Sequence, residues 1–179
     1  LKQNFNDGNG TVTVALFRIN KEGDLRDGID GGTEQAGETY SQGIEIEAQY
    51  QWSGSLATGL FATALKAEFE EFNEKTGNTP SNVADEVVYL WATYRIGQHW
   101  QVGGNVFYVG DRFMDDSNTM TMDSYSITDL HATRMINNFE LTFRARNVFD
   151  EDYSFWSQYD NAHQLGDPRS LEVSVYTSF

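Results

Sequence analysis

An almost unbroken alternation of apolar and polar side chains over residues 169–179 is the feature that most constrains the fold of this chain. Leu171, Val173 and Val175 fall on one side of the pattern, and Glu172 falls on the other. Because successive side chains of a β-strand point to opposite faces, the pattern predicts a strand with one apolar face. Similar alternation recurs in several upstream segments, so the sequence predicts an all-β fold.

Eight segments of strand length follow a strand tail at residues 1–5 of the 179-residue chain. The predicted strands are residues 11–20, 40–52, 56–69, 87–96, 100–110, 125–135, 139–149 and 169–179. Short turns join some of them, at 53–55, 97–99 and 136–138, and long loops join the others, at 21–39, 70–86, 111–124 and 150–168. Short turns at one end and long loops at the other are typical of antiparallel barrels that span an outer membrane.

Aromatic side chains stand at the short-turn ends of these strands, namely Trp52, Trp100, Phe139 and Phe179. Such rings collect where a bilayer meets water, which favours a transmembrane barrel over a soluble one. No apolar run reaches the ~18 residues that a membrane helix needs. The net charge of −15 argues against a nucleic-acid partner, because phosphates require a basic surface.

The facing of four predicted strands can be read directly from the alternation. In residues 40–52, for example, Ile44 and Ile46 alternate with Glu45 and Glu47. We predict that the apolar rows face lipid and that the charged rows line a wet lumen. The lumen charges expected to pair across strands are Glu45, Glu47, Glu140, Arg144, Arg146 and Glu172. The pattern does not decide the facing of residues 11–20, 56–69, 87–96 and 125–135.

Two motifs lie near the C-terminus: residues 147–153 read Asn-Val-Phe-Asp-x-x-Tyr, and residues 166–169 read Gly-Asp-Pro-Arg. With the terminal aromatic residue, they resemble the end of the barrel in TonB-dependent outer-membrane receptors. The residues that carry this resemblance are Asn147, Phe149, Asp150, Tyr153, Gly166, Pro168, Arg169 and Phe179. Residues 80–83 (Pro-Ser-Asn-Val), together with Asn118, Tyr125 and Asp129, are similar to the siderophore-receptor branch of that family.

The resemblance implies a plugged barrel of about 22 strands, of which residues 1–179 form about eight C-terminal strands, with the plug absent. It implies TonB-dependent uptake of an iron–siderophore complex across the outer membrane of a Gram-negative bacterium. The implied partners are outer-membrane lipid and lipopolysaccharide, TonB through the missing N-terminal plug region, and the barrel-assembly machinery through the C-terminal strand. Phe179 is then the insertion signal. No cofactor is implied, because the Fe(III)–siderophore is the transported ligand.

The candidate ligand-binding residues are Phe155, Trp156 and Tyr159, in the last long loop. Exposed flat rings on a loop offer contact area at a low entropic cost, whereas the alternative is packing within the loop. Tyr153 belongs to the motif and is interpreted as structural. No catalytic constellation is present, so we expect no enzyme.

No metal site is expected either. His99, His131 and His163 fall in a short turn, a strand and a long loop, and these positions do not converge. The acidic residues 24–30 do not match the spacing of a calcium-binding loop.

Two other architectures stay open on the sequence alone. One is a self-contained eight-stranded outer-membrane barrel with a structural or adhesion role, since eight strands can close. The other is a soluble β-barrel binding module. Haem, cobalamin and a glycan remain alternatives to the siderophore. Residues 1–5 begin in the middle of a strand, which we interpret as the sign of a truncated receptor.

Overall fold

The structure is a computed structural model that describes residues 1–27, 32–159 and 162–177. Within these ranges, thirteen β-strands and one short 3-10 turn follow one another. The strands are β1 (Lys2–Phe5), β2 (Gly10–Asp27), β3 (Thr33–Gln51), β4 (Leu56–Glu71), β5 (Glu86–Ile96), β6 (Trp100–Val109), β7 (Arg112–Phe113), β8 (Thr121–Met122), β9 (Tyr125–Ile136), β10 (Phe139–Arg146), β11 (Ser154–Tyr159), β12 (Ala162–Leu165) and β13 (Ser170–Thr177). The 3-10 turn, Asn73–Lys75, lies between β4 and β5.

Nine strands form one sheet, in the order β1-β2-β3-β4-β5-β6-β9-β10-β13, and neighbours in this sheet run antiparallel. The prediction of an all-β antiparallel fold is therefore confirmed. Strands β1 and β13 occupy the two edges, and no ladder joins them within the described ranges. The sheet is thus open, and the closed eight-stranded alternative is wrong for the described part of the chain.

The cross-strand register gives the sheet two chemically different faces. On the first, which we call the apolar face, one row runs through Ala48, Leu60, Leu90, Val106 and Thr128. Large apolar side chains are exposed all along this face; Leu90 is 46% exposed and Leu171 is 82% exposed. These positions agree with the rows predicted to face lipid, and the register now assigns the strands that the sequence pattern left undecided.

The short-turn end of the apolar face carries three of the aromatic side chains predicted there, Trp52, Trp100 and Phe139. Tyr94 falls on the same face near this end. The Arg134 guanidinium lies 5.2 Å from the Trp100 ring centroid. These aromatic side chains therefore form a band at one end of the sheet.

The opposite face is covered at one end by a long loop, and we call it the loop-covered face. It is polar where β10 and β13 meet the last long loop, and there Arg144 and Arg146 reach Glu172 at 3.3 and 3.2 Å. The predicted pairing of charges across strands is thus confirmed for these three residues. Glu45, Glu47 and Glu140 make no ion pair with any residue of the described ranges.

Three of the predicted loops contain more regular structure than their sequence suggests. Strands β2 and β3 continue their ladder up to the pair Asp27↔Thr33, so the predicted loop at 21–39 is largely a hairpin. The loop at 111–124 holds the β7–β8 pair, and the loop at 150–168 holds the β11–β12 hairpin. A strand pair that is exposed to water on both faces is held by backbone hydrogen bonds and needs no row of apolar side chains. Its sequence therefore lacks the alternation of apolar and polar residues from which strands are predicted.

Strand ends also differ from the predictions. Strand β10 ends at Arg146 instead of residue 149, because Asn147 takes a left-handed conformation with φ of 47°. The last described residue is Thr177, so Phe179 lies outside the described ranges, as does part of the acidic segment 24–30. The described residues include no helix with the length and apolar character needed to cross a membrane.

Candidate functional site

A chain of aromatic rings crosses the loop-covered face near the long-loop end. The rings of Tyr89 and Phe107 lie 6.5 Å apart between centroids, and those of Phe107 and Tyr125 also lie 6.5 Å apart. The Tyr153 ring, from the last loop, lies 4.4 Å from the Tyr125 ring.

This cluster explains why the sequence alone does not show which face of strands β4, β5 and β9 is apolar. Apolar residues occupy both faces of these strands, as Phe61 and Ile127 do on the loop-covered face.

The first motif forms the base of the last loop. The Asn147 side chain is 3% exposed, and its amide nitrogen donates to the Glu151 carbonyl at 2.9 Å and to the Asp167 carbonyl at 3.1 Å. Its Oδ1 accepts from the Glu151 N–H at 2.8 Å. The Asn147 backbone N–H donates to the Asp129 carboxylate at 2.9 Å. One side chain thus joins the two ends of the loop to each other, while its backbone is tied to the sheet.

The second motif closes the same base from its other end. The Asp150 carboxylate accepts from the Arg169 backbone N–H at 2.9 Å and lies 3.3 Å from the Arg169 guanidinium. Gly166 lies directly under the Tyr153 ring, and a Cβ at this position would overlap the ring atoms. Phe149 is 75% exposed, and Pro168 is also exposed. The motif residues that make contacts therefore fix the loop base.

The β11–β12 hairpin carries the candidate ligand-binding side chains. Phe155 is 54% exposed and Trp156 is 50% exposed. A register shift between Ser154 and Trp156 breaks the regular alternation, so two consecutive rings are exposed. The backbone of Tyr159 ends strand β11, but its side chain lies outside what the structure describes.

Two asparagines, not singled out as site residues from the sequence, join neighbouring loops by paired hydrogen bonds. Asn82 donates from its amide to the Ser157 carbonyl at 2.9 Å and accepts from the Ser157 N–H at 2.7 Å. Asn118 makes the same pair of bonds with Thr79, at 2.7 and 2.9 Å. Both asparagines have positive φ, 64° and 58°. Both lie in segments noted for the family resemblance, which is the signal that could have found them.

Arg112 is a buried cation at this end of the molecule, only 6% exposed. Its guanidinium donates to the Ser154 carbonyl at 2.7 Å and to the Phe155 carbonyl at 3.2 Å. It also lies 5.2 Å from the Tyr125 ring centroid. Because every residue has a backbone carbonyl, the residue types at positions 154 and 155 do not reveal that they accept bonds from Arg112. Arg112 was therefore missed in the sequence analysis.

Groups of three or more His, Cys, Asp or Glu side chains that could hold a metal ion do not occur within the described ranges. His131 packs its ring over Gly103 on the loop-covered face. The Asp115 carboxylate is occupied by the backbone N–H groups of Thr119 and Met120, both at 2.9 Å. The chemistry offered by this end is therefore ring contact and hydrogen bonding.

Comparison with known proteins gives a consistent picture of what the chain resembles. Residues 1–148 match the family model described as "TonB dependent receptor-like, beta-barrel". The chain is 27% identical over 152 residues to the ferrioxamine receptor of Yersinia enterocolitica, with 80% of this chain and 21% of that protein covered. It is 28% identical over 156 residues to the ferrichrome outer membrane transporter/phage receptor of Escherichia coli strain K12, with 79% and 20% covered.

Solved structures share the fold at lower identity. The siderophore receptor PiuA from Acinetobacter baumannii superposes with a TM-score of 0.83 at 22% identity, covering 97% of this chain and 27% of that one. The chain spans about one fifth of the length of the curated relatives it matches.

Proposed function

Because this chain belongs to the TonB-dependent receptor-like β-barrel family, we propose that it forms wall and extracellular loops of a receptor for iron–siderophore uptake. Proteins of this family lie in the outer membrane of Gram-negative bacteria, and the two curated relatives described above are named as a receptor and a transporter, not as enzymes. The two curated relatives described above are named for ferrioxamine and ferrichrome. These names are the reason for choosing an iron–siderophore complex over haem, cobalamin or a glycan.

The observation that carries the proposal is the pair of exposed rings on the β11–β12 hairpin. Phe155 and Trp156 are about half exposed, although the loop beneath them is tightly bonded. Half-exposed rings on an ordered base lose little conformational freedom when a ligand packs on them, so their contact area converts efficiently into affinity. We assign these two side chains, with Tyr159, to ligand contact.

The remaining partners follow from the same proposal. The apolar face lies against outer-membrane lipid and, at its outer end, lipopolysaccharide. Coupling to TonB belongs to a plug region outside these 179 residues, and Phe179 serves the barrel-assembly machinery as an insertion signal. Energy-dependent displacement of the plug then admits the ligand, for which this chain supplies part of the wall of an approximately 22-stranded barrel.

The test is ligand binding by outer membranes that hold the gene product containing these residues. Phe155→Ala and Trp156→Ala are each expected to weaken the binding of ferrioxamine or ferrichrome about 5- to 30-fold, the usual range for a ring at a binding surface. Phe139→Ala is the matched control, because Phe139 is 50% exposed, as Phe155 is 54% exposed, but lies at the opposite end of the sheet. If all three variants bind these probes as tightly as the parent protein does, the assignment fails.

A further inference from the structure

We propose that the described residues of the three loops at 72–85, 110–124 and 147–169 act as one rigid body, the three-loop unit, in which Arg112 is a positioning residue. Arg112 would set the place of Phe155 and Trp156 without touching the ligand. The inference rests on the proposed function where ligand binding is concerned, but the mechanical coupling of the loops can be tested without any ligand. It is carried by hydrogen bonds that join each loop to both of the others.

The first link joins loops 72–85 and 110–124. The reciprocal bonds between Asn118 and Thr79 are supported by three more contacts between the same loops. The Ser81 N–H donates to the Asp116 carboxylate at 2.8 Å, and the Asn78 side-chain amide donates to the Asp116 carbonyl at 3.0 Å. The Asn82 N–H donates to the Phe113 carbonyl at 2.9 Å. Five bonds over a few residues leave these loops little freedom to slide past each other.

The second link joins loop 72–85 to the β11–β12 hairpin. It is the reciprocal pair between Asn82 and Ser157, and both partners are at least partly buried. Ser157 is 4% exposed, and its neighbour Trp156 is 50% exposed. The point of attachment therefore lies one residue from a ring assigned to the ligand.

The third link joins loop 110–124 to the same hairpin and closes the triangle. Arg112 bonds the carbonyls of Ser154 and Phe155, and the Ser157 hydroxyl donates to the Met114 carbonyl at 2.9 Å. Because every pair of loops is bonded directly, none can swing without breaking bonds to both neighbours. Local opening of such a segment requires the loss of several bonds at once.

Arg112 suits this role better than another cation would. Its guanidinium reaches two consecutive carbonyls through different nitrogens while its plane lies near the Tyr125 ring. A lysine ammonium is a compact point charge that cannot offer this planar fork. Arg112 lies too deep, at 6% exposure, to meet a ligand that stays on the exposed rings.

The first experiment measures hydrogen exchange of the backbone N–H groups of Asn82, Ser157 and Thr79 in the membrane-embedded gene product that contains this chain. Arg112→Lys is expected to raise exchange at the Ser157 and Thr79 backbone amides together by at least about tenfold, since bonds from a charged donor are among the stronger ones. Arg134→Lys is the matched control, because Arg134 also lies 5.2 Å from an aromatic ring, but at the other end of the sheet. The Asn82 N–H donates to the carbonyl of Phe113, beside Arg112, and can therefore respond locally. A rise confined to the Ser157 and Asn82 amides, with the Thr79 amide unchanged, would show that the loops are independent and would overturn the inference.

The second experiment tests whether a disulfide between two of the loops can hold the β11–β12 hairpin in place when Arg112 is replaced. Residues 1–179 contain no cysteine, so Asn82→Cys with Ser157→Cys would place one thiol on each of two loops that these positions already join by hydrogen bonds of 2.7 and 2.9 Å. Loss of free thiols on oxidation is measured first, to establish that the disulfide has formed. In the Arg112→Lys background, the reduced form is expected to bind ferrioxamine or ferrichrome about tenfold more weakly than the parent protein, with an unchanged maximal uptake rate. Oxidation is expected to recover most of that affinity. Persistent weak binding after complete oxidation would mean that Arg112 acts on the ligand itself, and the positioning role would fall.

The two proposals fail in different ways. If the parent protein binds neither probe, the proposed function fails, while the hydrogen-exchange comparison still decides whether the loops move together. The double variant Asn82→Cys with Ser157→Cys, in an otherwise unchanged chain, tests the opposite behaviour. If its oxidation blocks uptake and its reduction restores uptake, the loops must separate during transport. That result would refute the rigid three-loop unit and leave the receptor function in place.

Discussion

Replacement of Asn147 by alanine is the sharpest probe of the loop base. The Asn147 side chain makes three hydrogen bonds, two as donor to the carbonyls of Glu151 and Asp167 and one as acceptor from the Glu151 N–H. At about 1 kcal/mol for each bond, alanine should lower the local free energy of opening of the last loop by about 3 kcal/mol. Because Asn147 also has φ of 47°, alanine adds a backbone cost of about 1 kcal/mol in the left-handed region.

Asn137→Ala separates these two contributions. Asn137 has φ of 53°, but it lies exposed in a short turn, and its side chain makes no hydrogen bond to a described residue. The control therefore carries the backbone cost alone, measured at the amides of its own turn. Subtracting that cost from the change that Asn147→Ala causes in 147–169 isolates the lost side-chain bonds.

Hydrogen exchange of the amides in 147–169 measures the effect directly in the membrane-embedded protein. A loss of about 3 kcal/mol beyond the control corresponds to exchange roughly 150-fold faster. The Glu151 amide, which donates to Asn147 at 2.8 Å, should be among the most affected. If the two variants differ by less than about threefold, the side chain does not hold the loop base, and the account of the motif given above is incorrect.

Two further substitutions test the faces and the motif. Val106→Arg, on the apolar face, should reduce assembly into the outer membrane, because a cation near the middle of the lipid costs about 2–4 kcal/mol; Asn105→Arg, one residue away on the loop-covered face beside Asp129, should assemble normally. Equal assembly of both would contradict the assignment of faces. Gly166→Ala should displace the Tyr153 ring and destabilise the loop base by about 1–3 kcal/mol, whereas Gly54→Ala, with nothing within 4 Å of the added Cβ, should have little effect on exchange in that loop. An unchanged exchange rate in Gly166→Ala would show that the ring can move freely.

The parts of the fold that the sequence predicts are those where one face of a strand is apolar and the other is not. Strands β3, β10 and β13 satisfy this condition, so their facing follows from a period of two. Strands β5 and β9 do not, because their second face contributes Tyr89 and Ile127 to the apolar surface under the loops. Only the register with neighbouring strands resolves them.

The candidate site divides in the same way. The motif around Asn147 and Asp150 stands out in the sequence because its residues must be of particular types to cap backbone groups. The bonds of Arg112 cannot be found in that manner, since any residue at positions 154 and 155 supplies the same carbonyls. The hairpin that presents Phe155 was likewise hidden, because its strands are short and irregular.

The length of the β2–β3 hairpin has a mechanical consequence. Strand β4 accompanies the hairpin up to the row that joins Glu22, Glu38 and Glu71, and beyond that row β2 runs a further five residues to Asp27. At about 3.4 Å per residue, the two-stranded end of the hairpin is roughly 17 Å long. A tilt of about 5° at its base would move its end by ~1.5 Å, so the end of the hairpin moves farther than the wall that carries it. A spectroscopic label at Leu25, which is 68% exposed, would therefore report small tilts of the wall as larger displacements of the hairpin end.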